Sequence, residues 1–176
     1  AVAFAQERTG PGSVLLYLAA ADDPSIEIAA THRLVPRREG VPASLVELRA
    51  ALAPGQHLDD ISSLDAAMQA ATARHGGEHA FGVLAADGSA LLHWPRSEGT
   101  SPRERLDVVA LQERVLAQVC GLDEDALRSG AVRYTRELGE LEGAVGGGEA
   151  VLGFATLPCT TAELLGRLPA QEAILL

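Results

Sequence analysis

The sequence contains no lysine, and all 14 of its basic residues are arginines. A lysine Schiff base and a Walker-type phosphate loop both depend on a lysine, so both are excluded. Arginine keeps its charge and binds carboxylates or phosphates through paired hydrogen bonds. The absence of lysine therefore leaves binding of a small anion open.

Cysteines and aromatic residues are also few. The two cysteines, Cys120 and Cys159, are far apart and belong to no CxxC or Cys/His pattern. This spacing argues against a structural zinc site and against a disulfide framework. Three Phe, two Tyr and one Trp leave the core to be built from Ala, Val, Leu and Ile.

The chain also lacks a positive net charge and a long apolar run. A formal net charge of -10 disfavours a nucleic-acid partner and an anionic membrane surface. The longest apolar run, Val14 to Ala21, is far shorter than a membrane span. The first ten residues lack the basic region and cleavage pattern of a signal peptide. We therefore expect a cytoplasmic protein.

The alternation of apolar runs and turns predicts an α+β (mixed α/β) fold with small mixed sheets and helices packed on them. Two β-hairpins are predicted, one joining Val14–Ala20 to Ile26–Ala30 and one over His79–Trp94 around Asp87-Gly88. A C-terminal β-α-β-α segment follows. The expected organisation is a central region over 1–94, a linker over 95–105 and a C-terminal region over 106–176.

The expected elements are those with apolar periodicity and flanking turn residues. The predicted helices are Pro42–Ala53, Leu64 to about His75 with Ser63 as its cap, Leu106–Val119, Glu137–Val145, and a last helix capped by Thr160 or Thr161. The further predicted strands are His57–Ile61, Val132–Thr135 and Val151–Leu157.

A basic cluster follows the second predicted strand. Thr31, His32 and Arg33 are followed closely by Arg37 and Arg38. Arginines with a hydroxyl and an imidazole suit a phosphate or carboxylate site, with His32 as an acid/base group. Strand alternation places Thr31 and Arg33 on one face and His32 on the other, so a shared ligand requires the strand to end near Thr31. The alternative is that these arginines pair with neighbouring acids.

Three other motifs favour structural roles. His75-Gly-Gly-Glu78-His79 matches the HxxEH zinc pattern, but its two glycines stand where a helix is expected to end. Gly146-Gly147-Gly148 precedes a strand, whereas a phosphate-binding loop precedes a helix. Cys159 stands at a predicted helix start, a position that can make a thiol reactive. Capping of that helix by Thr160 or Thr161 is the favoured interpretation.

Several segments, in order, resemble one known family. "ATHRLV" at 30–35 is similar to the signature of the prokaryotic domain-of-unknown-function family numbered 1015. "HAFGVLAADGSALLHW" and "LDVVALQERVLAQVCGL" resemble that family's hairpin and its Leu-Asp-Val helix. By analogy, the family relates to the ParB and sulfiredoxin-like group of nucleotide-using proteins, although its Ala-Asp-Gly-His-His-Arg segment is absent here. The resemblance implies the central and C-terminal part of a longer protein.

Three functions stay open at this stage, and the cofactor is unknown. The first is binding or turnover of a nucleotide or other phosphate-bearing molecule at Thr31, His32, Arg33, Arg37 and Arg38, completed by the absent His-His-Arg. The second is a non-catalytic regulatory domain whose Leu106–Val119 helix forms a homodimer seam. The third is metal-dependent hydrolysis at His75 and His79.

Overall fold

The structure is a computed structural model that describes residues 28–96, 105–160 and 163. The predicted strand Val14–Ala20 and the cap at Thr161 lie outside the described residues, as does most of the predicted linker. Within the described residues, helices and antiparallel strands are mixed, so the predicted α+β class is confirmed.

Six strands form one antiparallel sheet, where several small sheets were expected. Their order across the sheet is β2-β4-β3-β6-β1-β5. The strands are β1 (His32–Val35), β2 (His57–Ile61), β3 (Glu78–Ala85), β4 (Gly88–Pro95), β5 (Arg133–Thr135) and β6 (Leu152–Ala155). Because β6 lies between β3 and β1, strands from both sides of the predicted linker pair within one sheet.

The helices begin at residues that cap them. Ser63 Oγ accepts a hydrogen bond from the Ala66 N–H at 3.2 Å, as predicted for the second helix. Ser44 caps the first helix, which therefore begins at Leu45. The helices are α1 (Leu45–Ala51), α2 (Leu64–Arg74), α3 (Asp107–Leu111), α4 (Glu124–Arg128) and α5 (Leu138–Gly146). Helix α4 was not predicted from the sequence.

Helix α3 does not continue as an ordinary α-helix. A π-helical segment, Gln112–Ala117, follows it directly, and the Cys120 N–H donates to the carbonyl of Val115, five residues earlier. π-Helical turns are rare and occur frequently at functional sites. The predicted Leu106–Val119 helix is thus an α-helix only over Asp107–Leu111 and continues as a π-helix, which the sequence did not indicate.

The hairpin around Asp87 and Gly88 is confirmed. Strands β3 and β4 pair from Glu78↔Pro95 to Ala85↔Gly88, and Gly88 has a φ of 146°, a value that favours glycine. Both carboxylate oxygens of Asp87 accept from the Leu45 N–H, at 2.9 and 3.0 Å. The turn therefore also anchors the beginning of α1.

The first described strand lies further along the chain than predicted. Residues 28–30 are not in a strand, whereas His32–Val35 pairs with both β5 and β6. Leu34 and Val35 are buried on opposite faces of the sheet, which fits a central strand with helices on both sides. Pairing partners distant in sequence therefore decide where this strand lies.

Helices cover both faces of the sheet. Strand residues such as Val35 and Phe81 pack with the α1 and α3 side, where Leu48 and Leu111 are fully buried. On the other face, Leu34 packs with Leu64 of α2 and with α5. The α3 seam predicted for dimerisation packs in this core, since Leu111 and Val115 are inaccessible to solvent.

Candidate functional site

The predicted basic cluster is divided by the sheet. His32 and Leu34 lie on the α5 face of β1, whereas Arg33 and Val35 lie on the α3 face. Arg37 and Arg38 follow the end of the strand and are exposed. The structure therefore does not bring these side chains together around one point.

His32 is buried beside β6. Its Nδ1 accepts a hydrogen bond from the Thr156 N–H at 3.2 Å, so the neutral ring carries its proton on Nε2. Burial lowers the pKa of His32, and the charge of Arg33 lowers it further, while Glu137 opposes this. The nearby Thr156 hydroxyl donates to the Thr31 carbonyl at 3.0 Å. This arrangement fixes the start of β1 against β6.

Arg33 is partly buried on the opposite face. One of its nitrogens donates to the Thr31 carbonyl, and its guanidinium carbon lies 5.5 Å from the centre of the Tyr134 ring, its cross-strand partner on β5. Burial lowers the pKa of Arg33, and Tyr134 opposes that effect. Among the residues that the structure describes, no carboxylate forms an ion pair with this guanidinium.

An open cavity of about 380 Å³ lies beside Arg33, between β1 and the helices that cover it. Three apolar side chains, Gln112 and three acids complete its lining. The lining residues are Arg33, Val108, Val109, Gln112, Glu113, Ala117, Asp123 and Glu124. Gln112 donates to the Leu122 carbonyl at 3.1 Å. This bond holds the residues after the π-helical segment against the first residue of that segment. The cavity is therefore built largely from the π-helical segment and its neighbours.

The three exposed residues that line this cavity are all acidic. We call Glu113, Asp123 and Glu124 the acidic rim. Asp123 Oδ1 accepts from the Ala126 N–H at 2.9 Å as the cap of α4, and Glu124 pairs with Arg128 at 3.1 Å. The lining thus combines one guanidinium with three carboxylates, so charges of both signs lie in one cavity.

Most residues of this cavity could not be identified from the sequence. Tyr134 meets Arg33 only because β5 pairs with β1, a register that local patterns do not contain. Gln112, Asp123 and Glu124 reach the site through the altered winding after Leu111 and through α4, neither of which was predicted. Arg33 is the one residue of the cavity that the sequence had singled out.

The HxxEH motif does not lie on one helix. Helix α2 ends at Arg74, and His75 and Glu78 form an isolated bridge around Gly76, whose φ is 99°. His79 lies in β3 with its Nδ1 2.8 Å from Asp107 Oδ1. In the part of the chain that the structure describes, no three His, Cys, Asp or Glu side chains are placed to hold a metal ion.

Asp107 is the centre of a largely buried charge network. It pairs with Arg96 at 2.9 Å as well as with His79, and both partners have side chains less than 15% exposed. Glu163 extends the network, at 3.7 Å from Arg96. Burial would raise the pKa of Glu163, but hydrogen bonds from Thr160 and the charges of His75 and Arg96 lower it overall. These contacts link the end of β4, the start of α3 and Glu163.

Thr160 makes the hydrogen bonds of the predicted cap, while the helix predicted to follow it, apart from Glu163, lies outside the described residues. The Thr160 hydroxyl accepts from the Glu163 N–H at 3.2 Å, and the Thr160 N–H donates to Glu163 Oε2 at 2.9 Å, a reciprocal capping box. Cys159 is partly buried beside it, whereas Cys120 is buried and its pKa is raised to about 12 by that burial. The Gly146–Gly148 run ends α5, with Gly148 at a φ of 76°, as expected for a helix-to-strand connection.

Comparisons with known proteins give no relative. No family model, no curated protein and no solved structure matches the chain. The resemblance to the family numbered 1015 is untested by these comparisons and stays a prediction. Among the described residues, no helix is both long and apolar enough to cross a bilayer.

Proposed function

We propose that this protein binds a small anionic molecule through Arg33, in the cavity between β1 and the π-helical segment. The observation that carries the proposal is a partly buried guanidinium that lacks a carboxylate partner among the described residues and faces a cavity of about 380 Å³. Ligand pockets in proteins span roughly 300–1,000 Å³. The cavity is therefore of a size for a small metabolite.

The chemistry of Arg33 favours an anion. Its planar donors match a carboxylate or phosphate group, and a charged partner would compensate for the burial that lowers its pKa. The carbonyl of Thr31 and the ring of Tyr134 hold the side chain in place before a ligand arrives. Such preorganisation reduces the entropy that binding costs.

The proposed site contains fewer of the predicted residues than the sequence suggested. Arg37 and Arg38 do not line the cavity, and His32 lies on the other face of the sheet. A catalytic role for His32, and a nucleotide as the ligand, stay predictions. A homodimer also stays a prediction, although the seam first suggested for it packs within the chain's own core.

Titration calorimetry of the chain with inorganic phosphate, 4-methylpentanoate, L-leucine and ADP tests the proposal. We expect at least one probe to bind, and R33Q to weaken that binding by about 10- to 100-fold, the worth of a charged hydrogen bond. R33K keeps the charge but loses the paired geometry, so it should restore only part of the affinity.

Arg37→Gln is the matched control, since Arg37 is an exposed arginine near the end of the same strand. It should leave the affinity unchanged, and melting curves should show that each variant is folded. Equal affinities in R33Q and the original chain, equal losses in R33Q and R37Q, or the absence of binding by all four probes would contradict the proposal.

A further inference from the structure

Charges of both signs line the Arg33 cavity, and their arrangement restricts what it can bind. A single guanidinium is accompanied by the three carboxylates of the acidic rim. A polyphosphate would bring several negative charges near these carboxylates, whereas Arg33 is the one cationic residue that lines the cavity. Like charges in close proximity oppose binding, so the lining disfavours nucleotides and other polyanions.

From this charge pattern and the apolar wall, we infer that the ligand of the Arg33 cavity is a zwitterion with an aliphatic body, of which an aliphatic α-amino acid is the simplest kind. The inference rests on the proposed function and specifies its substrate class. The carboxylate of the ligand pairs with Arg33, and its ammonium group is attracted by the acidic rim.

The wall of the cavity supports the aliphatic part of this inference. Val108, Val109 and Ala117 present apolar side chains there. They belong to α3 and the π-helical segment, whose neighbouring residues Leu111 and Val115 are fully buried in the core. Burial of a hydrocarbon side chain against this wall favours binding, whereas a second charged group would lose solvation there.

Two residues of the acidic rim, Asp123 and Glu124, are exposed to solvent. The Asp123 hydrogen bond to Ala126 uses Oδ1, and the Glu124 side chain is 74% exposed beside Arg128. The carboxylates of the rim attract the ammonium group of a zwitterionic ligand. A ligand that carries only a carboxylate lacks this attraction. The structure thus predicts that removing the amine weakens binding, although the amine does not contact Arg33.

The test compares L-leucine with 4-methylpentanoate, which has the same carbon skeleton without the amine. Titration calorimetry at low salt should show L-leucine binding about three- to tenfold more tightly, as expected for one or two partly exposed charge pairs. Inorganic phosphate and ADP should bind more weakly than L-leucine. The methyl ester of leucine, which lacks the carboxylate, should not bind measurably.

A double variant, D123N/E124Q, should remove most of the preference for L-leucine. It should weaken L-leucine by about three- to tenfold and leave 4-methylpentanoate unchanged or slightly tighter, because attraction and repulsion are removed together. Asn is as good a helix cap as Asp, so α4 should be retained. D125N/E142Q removes two exposed carboxylates outside the cavity lining and should change neither affinity.

The outcomes separate the two proposals. If 4-methylpentanoate or phosphate binds as tightly as L-leucine, and R33Q abolishes that binding, the zwitterion inference is overturned while the anion site at Arg33 stands. If L-leucine binds equally well to R33Q, both fail. A loss of L-leucine affinity in D125N/E142Q as large as that in D123N/E124Q would also overturn the inference, since long-range charge would then explain it.

Discussion

At the scale of single residues, Arg33 and His32 show how one strand separates neighbouring side chains. His32 is almost wholly buried and held by the Thr156 N–H, while Arg33 opens onto a cavity on the opposite face. The two residues were predicted to share a site, and the period of two along a β-strand is the reason that they do not. His32 is thereby suited to a structural role and Arg33 to binding.

The buried imidazole of His32 should make stability depend on pH. Its pKa in the folded protein is lowered from 6.5, so below pH 6.5 the unfolded chain binds more protons than the folded chain. The free energy of unfolding should therefore fall as pH drops below 6.5, by at most about 1.4 kcal/mol per pH unit from this group. At higher pH the ring is neutral in both states and contributes no slope.

Urea denaturation at several pH values measures this dependence. H32N keeps an acceptor near the Nδ1 position and removes the titration, so its slope between pH 7.5 and 5.5 should be flatter than that of the original chain. H57N, at an exposed histidine, is the control for loss of an imidazole. An unchanged slope in H32N would show that His32 does not titrate as its burial indicates.

At the scale of elements, helix α5 rests on the sheet at a glycine. A Cβ added at Gly153 of β6 would lie 2.6 Å from Cδ2 of Leu141, a side chain that is inaccessible to solvent. Leu34 of β1, the cross-strand partner of Gly153, belongs to the same core cluster. The absence of a side chain at position 153 thus lets α5 pack closely on β1, which carries Arg33, and on its neighbour β6.

The substitution Gly153→Ala should destabilise the fold by about 1–3 kcal/mol, because overpacking forces α5 outward. Gly143→Ala, within α5 itself, is the matched control. Its added Cβ meets nothing within 4 Å, so it should stabilise the protein by about 0.5–1 kcal/mol through helix propensity. Urea midpoints measure both changes, and equal effects of the same sign would contradict this account of the packing.

At the scale of the whole molecule, the sheet joins segments that the sequence had suggested as separate regions. β6 pairs with β3 on one side and with β1 on the other, so no cut at the linker leaves the sheet intact. The core on the α3 face includes Phe81 and Trp94 from before residues 97–104 and Leu111 from after them. Residues before and after that stretch therefore depend on each other for burial.

This architecture predicts one cooperative unfolding transition. Trp94, which is 2% exposed in β4, reports on the segment before the linker, and far-ultraviolet circular dichroism reports on all helices. The two signals should give coincident urea midpoints, as expected for a two-state domain. Midpoints that differ clearly between the two signals would show two independently folding regions.

The sequence predicted those parts of the fold that local chemistry decides. Asp87-Gly88 specifies its hairpin, and Ser63 specifies the start of α2, because turn and cap geometry depend on a few adjacent residues. The position of β1, the π-helical winding after Leu111 and the cavity beside Arg33 depend on contacts between distant segments. Local patterns contain no information on those contacts, so the site could be predicted only as far as Arg33 itself.

The most direct measurement of the central claim is a side-chain NMR titration of the ¹⁵N-arginine-labelled chain with L-leucine, with the Nε–Hε signal of Arg33 assigned from its absence in R33Q. The account predicts that this signal shifts and saturates with added L-leucine, while the other 13 arginine signals move little. A saturating shift centred on a different arginine, or no shift of the Arg33 signal at millimolar L-leucine, phosphate and 4-methylpentanoate, would contradict it.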